Sequence, residues 1–254
     1  LRADVNKVYE KRDERLLSLT DESVEVFYNC ILCQSFSPSH VCIVTPERLG
    51  LCGAVSWLDA KATNELDPQG PCQVVTKKRV VDENVGIWED VNEVVNRDSH
   101  GALQGVTLYS ILQDPMTSCG CFECICGIEP TSNGVVIVNR EHTGMTPVGM
   151  TFSELAASTG GGVQTPGFMG HGKQFISSKK FMKAEGGPAR IVWMPKALKE
   201  LVGPKLNGTA KDLYKIDDFV SRIADETVCE ADADALMAFL QEKEHPVLKL
   251  EPLM

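Results

Sequence analysis

Short runs of β-branched and apolar residues, each bounded by Pro, Gly or Asn, recur along the chain and predict strands. The predicted strands are residues 40–46, 72–78, 134–139 and 189–195. Between these runs, apolar residues recur at the spacing of a helix face. The alternation predicts an α/β, or mixed α+β, fold: a compact domain with a mixed sheet flanked by helices and by cysteine-bearing loops.

Four segments carry helix signals. A helix over 85–96 is followed by a second predicted helix over 102–112, which the Asp-Pro pair after it would stop. Thr151 and Glu154 have the spacing of a capping box, which predicts a short helix after them. The last predicted helix spans 231–243, where apolar residues line one face.

The start of the chain is charged and helix-like, and it begins with Leu1. We therefore expect a piece of a longer protein, in which residues 1–20 are a helical linker or the end of a preceding region. Residues 21–254 would then form the functional domain, with two lobes of about 21–145 and 146–254 as a further expectation.

The glycine-rich stretch over 158–172 is the segment most typical of a mobile surface loop. Gly160 and Gly161 are expected to end the short helix before it. Its glycines match neither the spacing of a P-loop nor a complete dinucleotide-binding fingerprint, so a phosphate cradle is the less favoured interpretation.

Composition excludes several classes of function. The 254 residues carry a net charge of −10 and a pI of about 5.0. Nucleic acid and anionic membranes both require a basic face, so neither is an expected partner. The sequence has neither an apolar run long enough to span a membrane nor the apolar core of a secretion signal. We therefore expect a cytoplasmic protein.

Ten cysteines are the compositional anomaly. They lie at positions 30, 33, 42, 52, 72, 119, 121, 124, 126 and 229. A disulfide framework is one interpretation, but such frameworks are typical of short secreted chains with a signal. Because the cysteines cluster in two tight groups of a chain without such a signal, metal binding is favoured.

The first group suits an iron–sulfur cluster. Cys30 and Cys33 form a CxxC pair, Cys42 lies in a strand-like run, and Cys52 lies between two glycines. Four thiolates of this kind can hold a [4Fe–4S] cluster. Zinc bound by four cysteines remains open, although zinc ribbons usually pair two CxxC knuckles and the second pair here is spread apart.

The second group contains Cys119-Gly120-Cys121, whose sulfurs are separated by backbone alone. If both sulfurs bind one metal, the amide nitrogens of Gly120 and Cys121 complete a planar set of four donors. Such donors suit Ni(II) or Cu(II) rather than zinc, and glycine permits the dihedral angles required. Two alternatives stay open: ordinary buried thiols in a turn, and a zinc site that uses the CxxC at 121–124.

Together, the CxxC pair, the cysteines at 42 and 52, and the Cys-Gly-Cys motif resemble the A-cluster domain of acetyl-CoA synthase. This is the nickel–iron–sulfur enzyme of the bifunctional carbon monoxide dehydrogenase/acetyl-CoA synthase complex. The stretch ILCQSFSPSHVCIVTPERLGLCGAVSW also resembles this family, which includes a methanogen acetyl-CoA decarbonylase/synthase subunit. The resemblance covers the whole cysteine array and most of the chain.

The resemblance implies a role for each cysteine of the array. The ligands of a [4Fe–4S] cluster would be Cys30, Cys33, Cys42 and Cys52. Cys33 would also bridge to a proximal nickel, a position that copper or zinc can occupy. Cys119 and Cys121 would join that nickel to a distal nickel, which also binds the amide nitrogens of Gly120 and Cys121. Phe36 would pack beside the proximal metal.

The implied activity is that of a CO-methylating acyltransferase. It assembles acetyl-CoA from carbon monoxide, coenzyme A and a methyl group donated by a corrinoid iron–sulfur protein, in complex with a carbon monoxide dehydrogenase subunit. Since the family's enzyme has further domains, this chain resembles its C-terminal domain and is expected to be incomplete alone. The alternatives are an electron-transfer [4Fe–4S] module and a zinc-stabilised interaction domain.

The remaining candidate residues are expected to be structural. These are His40, His100, His142, His171, His245, Cys72 and Cys229, and His40 stands out because it lies two residues before Cys42. Cys124 and Cys126 take no ligand role from the resemblance. Cys72 and Cys229 are predicted to be isolated buried thiols.

Overall fold

The structure is a computed structural model that describes residues 2–159 and 162–253. Its α-helices are α1 (Arg2–Leu16), α2 (Trp57–Leu66), α3 (Glu89–Asp98), α4 (Phe152–Ala157), α5 (Lys196–Tyr214) and α6 (Ala233–Glu242). Its strands are β1 (Val26–Cys30), β2 (Cys42–Val44), β3 (Val74–Thr76), β4 (Val80–Asp82), β5 (Ile87–Trp88), β6 (Thr117–Ser118), β7 (Cys124–Glu129), β8 (Gly134–Asn139), β9 (Gly162–Val163), β10 (Phe168–His171) and β11 (Ile191–Trp193).

Two sheets organise the described part of the chain. The first is antiparallel, with strand order β2-β1-β3. The second has the order β10-β7-β8-β11, and it is mixed because β11 runs parallel to β8 while the other pairs are antiparallel. Two-stranded ribbons, β4-β5 and β6-β9, complete the pairing. This arrangement of a mixed sheet with helices confirms the predicted fold class.

Most of the predicted elements are confirmed. The strands β2, β3, β8 and β11 lie within the four predicted strand segments, and β8 covers all of 134–139. The capping box is present, since the Glu154 amide donates to Thr151 Oγ1 at 3.4 Å and Thr151 N–H donates to Glu154 Oε2 at 2.8 Å. Helix α6 lies within the predicted segment 231–243. Helix α3 begins at Glu89, four residues after the predicted start at 85, because Ile87 and Trp88 form β5. Local patterns therefore identified these elements, with a later start for α3.

The predicted helix over 102–112 is wrong, because this segment is irregular. The amides of Leu108 and Tyr109 donate to the carbonyls of Gly86 and Val85, both at 3.1 Å, instead of bonding within a turn of helix. The segment buries five apolar side chains: Leu103, Val106, Leu108, Tyr109 and Ile111. The burial of these side chains in tertiary contacts thus outweighs the helix propensity that the spacing indicated.

The glycine-rich stretch over 158–172 is not one continuous loop. Two strands lie within it, β9 and β10, and β10 pairs with β7 over its whole length. Gly160 and Gly161, which were expected to end α4, lie outside the described residues. The pairing with β7 attaches the second half of this stretch to the mixed sheet.

The predicted helical character of residues 1–20 is confirmed by α1. Arg12 on α1 is buried, and its Nη1 donates to Ala54 O at 3.1 Å and lies 3.2 Å from Asp59 Oδ2. These bonds attach α1 to the segment after β2. The role of residues 1–20 as a linker and the division into lobes near residue 145 remain predictions. None of the helices in the described ranges has the length and apolar character that crossing a bilayer requires.

Two clusters of apolar side chains form the core. In one, the rings of Phe27, Trp88 and Tyr109 meet edge to face, with centroids 5.4 and 6.0 Å apart. In the other, Phe175 and Phe181 meet edge to face at 5.5 Å in the cluster that includes residues of α5. Edge-to-face pairs add favourable quadrupole contacts to the burial of area.

Burial of His245 predicts a stability that depends on pH. Its Nε2 lies 3.0 Å from Ile191 O, its Nδ1 accepts from the Val247 amide at 3.1 Å, and burial lowers its pKa to about 4. Because the unfolded chain takes up the proton first, the unfolding free energy should fall as the pH drops from about 6.5 towards 4, by at most about 1.4 kcal/mol per pH unit for this group. Denaturant titrations across this range measure the slope.

The variant His245→Asn keeps an acceptor near the Val247 amide and removes the titrating ring, so its slope should be shallower than that of the wild type. His100 is exposed, and His100→Asn is the matched control that should keep the wild-type slope. Equal slopes for wild type and His245→Asn would contradict the prediction.

Candidate metal centre

Three thiols lie in a row across the antiparallel sheet. The register of β1 with β2 pairs Cys30 directly with Cys42. On its other side β1 pairs with β3 in the register Tyr28↔Val74, and two residues further this register places Cys72 opposite Cys30. Residues directly opposite each other in an antiparallel pair share a face of the sheet. Cys42, Cys30 and Cys72 therefore form one row with Cys30 at its centre.

The prediction of Cys72 as an isolated thiol is therefore wrong. A hydrogen bond with Cys72, together with burial, raises the pKa of Cys30 far above its usual value. Sequence spacing carried no sign of this pair, because the register between β1 and β3 sets it. Cys229, the other thiol predicted to be isolated, is buried, as are Cys124 and Cys126.

Cys33 lies in the short 3₁₀ helix Leu32–Ser35, which follows β1 almost at once. The amides of Phe36 and Ser37 donate to the Cys33 carbonyl at 3.1 and 2.9 Å, which closes the turn. Burial and the neighbouring thiols of Cys119 and Cys42 raise the pKa of Cys33 to about 12. Cys33 is thus near thiols of both cysteine groups.

Cys52 lies in the turn after β2, and Arg140 and Glu123 fix that turn. The Cys52 carbonyl accepts from Arg140 Nη2 at 2.9 Å, and the Cys52 sulfur accepts from the Ala54 amide at 3.4 Å. Gly53 has φ +75°, and a Cβ there would overlap Glu123 Oε2. Glycine is needed at this position for both the backbone angle and the close approach.

Glu123 joins this turn to the Cys-Gly-Cys segment. Its amide donates to Leu51 O at 2.9 Å, and its Oε2 accepts from the Lys173 amide at 2.7 Å. Since Glu123 is two residues after Cys121, the bond to Leu51 holds the second cysteine group against the turn that carries Cys52.

His40 is buried between the two cysteine groups. Its Nε2 lies 3.2 Å from Cys42 Sγ, and its Nδ1 lies 3.3 Å from Thr117 Oγ1. Thr117 in turn accepts from the Val41 amide and donates to the Val41 carbonyl, both at 3.0 Å. The sequence pointed to His40 only through its position before Cys42, and it did not identify Thr117 at all.

The ligand atoms of Cys33, His40 and Cys119 all lie within 4.8 Å of one another. Among the described residues, Cys121 is not a member of this group, and its side chain is exposed. Gly120 between the two cysteines has φ +77°, and an added Cβ would meet no heavy atom within 4 Å. Its amide donates to Ser118 Oγ at 3.2 Å.

Phe36 follows the Cys33 turn, and 61% of its surface is exposed. The resemblance places this ring beside a proximal metal. In the structure Phe36 lies three residues after Cys33, and the described residues leave most of its side chain exposed. Leu32, which precedes Cys33, is also more than half exposed.

The donor set fits the metal groups that the resemblance implies. Cys30, Cys42 and Cys52 are close enough that each raises the pKa of another, and Cys33 connects them to Cys119. Four thiols suit a [4Fe–4S] cluster, and a glycine with positive φ between Cys119 and Cys121 suits the planar sulfur–nitrogen set. Because burial raises the pKa of the Cys33, Cys42 and Cys52 thiols, metal binding must displace their protons.

A buried contact behind the second group predicts that Gly170→Ala is destabilising. A Cβ at Gly170 would overlap the ring of Phe122, which is buried and follows Cys121 directly. Relief of this overlap should lower the unfolding free energy by roughly 1–3 kcal/mol. It should also lower the retention of any metal held by the Cys-Gly-Cys segment, because the shifted ring moves that segment. Denaturant unfolding and metal analysis measure the two effects.

Gly162→Ala is the matched control, since a Cβ there meets no heavy atom within 4 Å. It should change the unfolding free energy by less than about 1 kcal/mol. A Gly170→Ala variant as stable as this control would show that Phe122 moves aside without cost.

The chain is similar to known proteins over nearly its whole length. A family model for the C-terminal part of the ACS/CODH beta subunit matches residues 9–254. The carbon monoxide dehydrogenase/acetyl-CoA synthase subunit alpha of Moorella thermoacetica is 52% identical over 246 residues, which are 97% of this chain and 34% of that protein. An acetyl-CoA decarbonylase/synthase complex subunit beta 2 of Methanocaldococcus jannaschii is 44% identical over 240 residues, or 94% of this chain and 49% of that protein.

A solved structure is also similar, the C-terminal domain of the alpha subunit of acetyl-coenzyme A synthase. It aligns with a TM-score of 0.50 and 49% identity, over 54% of this chain and all of that one. The chain spans about a third to a half of the length of the two curated relatives named above.

Proposed function

This chain belongs to the family of C-terminal domains of the ACS/CODH beta subunit, and from that membership we propose that it is the part of an acetyl-CoA synthase that holds the A-cluster. The proposed cofactor is a [4Fe–4S] cluster joined to two nickel ions. The proposed activity is that of a CO-methylating acyltransferase, which the rest of the enzyme completes.

The proposal assigns a ligand set to each metal group. Cys30, Cys33, Cys42 and Cys52 hold the iron–sulfur cluster. Cys33, Cys119 and Cys121 would hold the proximal nickel. Cys119, Gly120 and Cys121 would hold the distal nickel. Copper or zinc can replace nickel at the proximal position, because affinity for such donors rises across the metal series to copper.

One observation carries the proposal. Donor atoms of Cys33 and Cys119, from the two separate cysteine groups, lie within 4.8 Å of each other. A plain electron-transfer module needs the first group alone. A zinc site built from the CxxC pairs at 30–33 and 121–124 would need Cys121 and Cys124 near Cys33, whereas among the described residues Cys119 is the cysteine grouped with Cys33. A sulfur that joins an iron cluster to a second metal requires this contact.

The chemistry that such a centre supplies is the joining of a methyl group, carbon monoxide and the thiol of coenzyme A. The residues of this chain provide access and shape. Exposure of Cys121 and Phe36 leaves this edge of the site open to the methyl donor and to the rest of the enzyme. The hydrogen bonds from the Glu123 amide to Leu51 O and from Thr117 Oγ1 to Val41 O hold the two cysteine groups together.

The proposed partners follow from the family. They are a carbon monoxide dehydrogenase subunit, a corrinoid iron–sulfur protein that donates the methyl group, and coenzyme A. The net charge of −10 agrees with partners other than nucleic acid. A cytoplasmic location remains a proposal, consistent with the reduced state that clustered thiols require.

Metal analysis of protein reconstituted without oxygen tests the function. The chain, supplied with iron, sulfide and nickel, should bind about four iron atoms and about two nickel ions. Iron with no nickel would instead support an electron carrier, and zinc in place of both would support a scaffold. Either result would overturn the proposal.

A further inference from the structure

We infer that the chain without an iron–sulfur cluster carries another metal site, in which Cys33, His40 and Cys119 bind one Zn²⁺ ion. This site differs from the proposed nickel sites because it uses His40 and does not use Cys121. This inference goes beyond the proposed function and does not rest on it, because it concerns how the chain binds zinc before any cluster is assembled.

The distances carry the first step. The three ligand atoms already lie within 4.8 Å of one another. Zinc binds sulfur at about 2.3 Å and imidazole nitrogen at about 2.0 Å, so two ligands of a tetrahedral ion lie roughly 3.5 Å apart. A movement of about one ångström per side chain therefore closes the group around an ion.

The hydrogen bonds of Thr117 set the tautomer of His40. The hydroxyl has one proton, which it donates to the Val41 carbonyl at 3.0 Å. Towards His40 Nδ1, at 3.3 Å, Thr117 Oγ1 is then an acceptor, so Nδ1 carries the hydrogen. Nε2 consequently keeps its lone pair. A ligating histidine whose other nitrogen donates a hydrogen bond is the usual arrangement in zinc sites.

Backbone bonds hold His40 and Cys33 in place before any metal binds. The His40 amide donates to Ser37 O at 2.9 Å, and the His40 carbonyl accepts from Gln34 Nε2 at 3.2 Å. Since Gln34 and Ser37 belong to the turn around Cys33, two of the three ligands come from one hydrogen-bonded segment. Cys119 arrives from β6, whose Thr117 is bonded to the same segment.

Two thiolates and one imidazole favour zinc among common cations. Thiolate sulfur is a soft ligand and imidazole nitrogen a borderline one, and both suit Zn²⁺, which imposes no planar geometry. Cys42 Sγ lies 3.2 Å from His40 Nε2, but Cys42 is not in the group whose ligand atoms lie within 4.8 Å of one another, so a water molecule is the expected fourth ligand. Because Cys33 is also a proposed cluster ligand, the zinc site is tested on the chain without the cluster.

Titration of the reduced, metal-free chain with Zn²⁺, and with Co²⁺ as its spectroscopic substitute, tests the inference. One equivalent should bind, and the Co²⁺ form should show thiolate charge-transfer absorption. Cys33→Ser and Cys119→Ser should each lose this site, and His40→Gln should weaken Zn²⁺ binding by at least about tenfold. Cys229→Ser is the matched control, because Cys229 has no proposed ligand role. Cys121→Ser and Cys52→Ser change proposed nickel and iron ligands, and both should still bind Zn²⁺ if the site is the one inferred.

Two results would overturn the inference. If Cys121→Ser loses binding while His40→Gln keeps it, the ion is held by three sulfurs instead. If Cys52→Ser loses binding, it is held by the first cysteine group. Because His40 is buried and its variant could fail to fold, X-ray absorption of the wild-type zinc form provides a second measurement. A first shell made only of sulfur would equally contradict the site.

Discussion

The Cys119→Ser variant, reconstituted without oxygen, is expected to lose its nickel while it keeps the visible absorption of a [4Fe–4S] cluster. Cys119 is proposed as a ligand of both nickel ions, and a serine hydroxyl is a poor replacement for a soft thiolate. The iron ligands do not include Cys119, so the cluster should assemble. Iron and nickel contents per chain, together with the absorption spectrum, measure the result, and the expected loss is nearly all of the nickel.

Cys229→Ser is the control for this experiment. Cys229 is a buried thiol of the last third of the chain, and the proposal gives it no ligand role. This variant should keep both metals, apart from any loss that instability causes. Nickel retained in full by Cys119→Ser would mean that Cys-Gly-Cys is not the nickel chelate.

The Cys52→Ala variant should show the opposite result to Cys119→Ser: it should lose the iron–sulfur cluster before it loses nickel. Cys52 is the fourth proposed ligand of the cluster, and it lies in a turn braced by Arg140 and Glu123. A cubane with three thiolates loses its fourth iron readily, so iron content and cluster absorption should both fall. Nickel at the distal position depends on the Cys-Gly-Cys segment, and it should be the metal that persists.

Cys72→Ala is the matched control for Cys52→Ala, because Cys72 lies beside Cys30 but has no proposed ligand role. It should keep its full iron content. If Cys72→Ala loses iron as Cys52→Ala does, then Cys72 belongs to the ligand set. If Cys52→Ala loses nickel and keeps an intact cubane, the division of ligands between iron and nickel is wrong.

The two metal groups can therefore be separated by single substitutions, because the chain supplies their ligands from separate segments. Cys33 is the exception. It is the one thiol proposed for both groups, and it is close to Cys42 and Cys119 at once. A substitution there should damage iron and nickel together, and it would not distinguish the two assignments.

Much of the fold was predictable where one local pattern dominates. The apolar run of β8 and the capping box of Thr151 and Glu154 need only neighbours along the chain, and both were identified. The segment 102–112 has the spacing of a helix as well, but its amides bond to residues 85 and 86. The spacing of apolar residues cannot reveal these hydrogen-bond acceptors, because residues 85 and 86 come close to this segment only after folding.

For the site, the sequence by itself determined the chemistry that is possible: four cysteines that can hold a [4Fe–4S] cluster or zinc, and a Cys-Gly-Cys motif that can offer a planar set of sulfur and nitrogen donors. Only the tertiary structure decided which donors meet. It placed Cys72 beside Cys30 through strand register, and it buried His40 between Cys42 and Thr117. The physical reason is that donor chemistry belongs to residue type and short spacing, whereas the distance between two donors depends on how separate strands and turns pack.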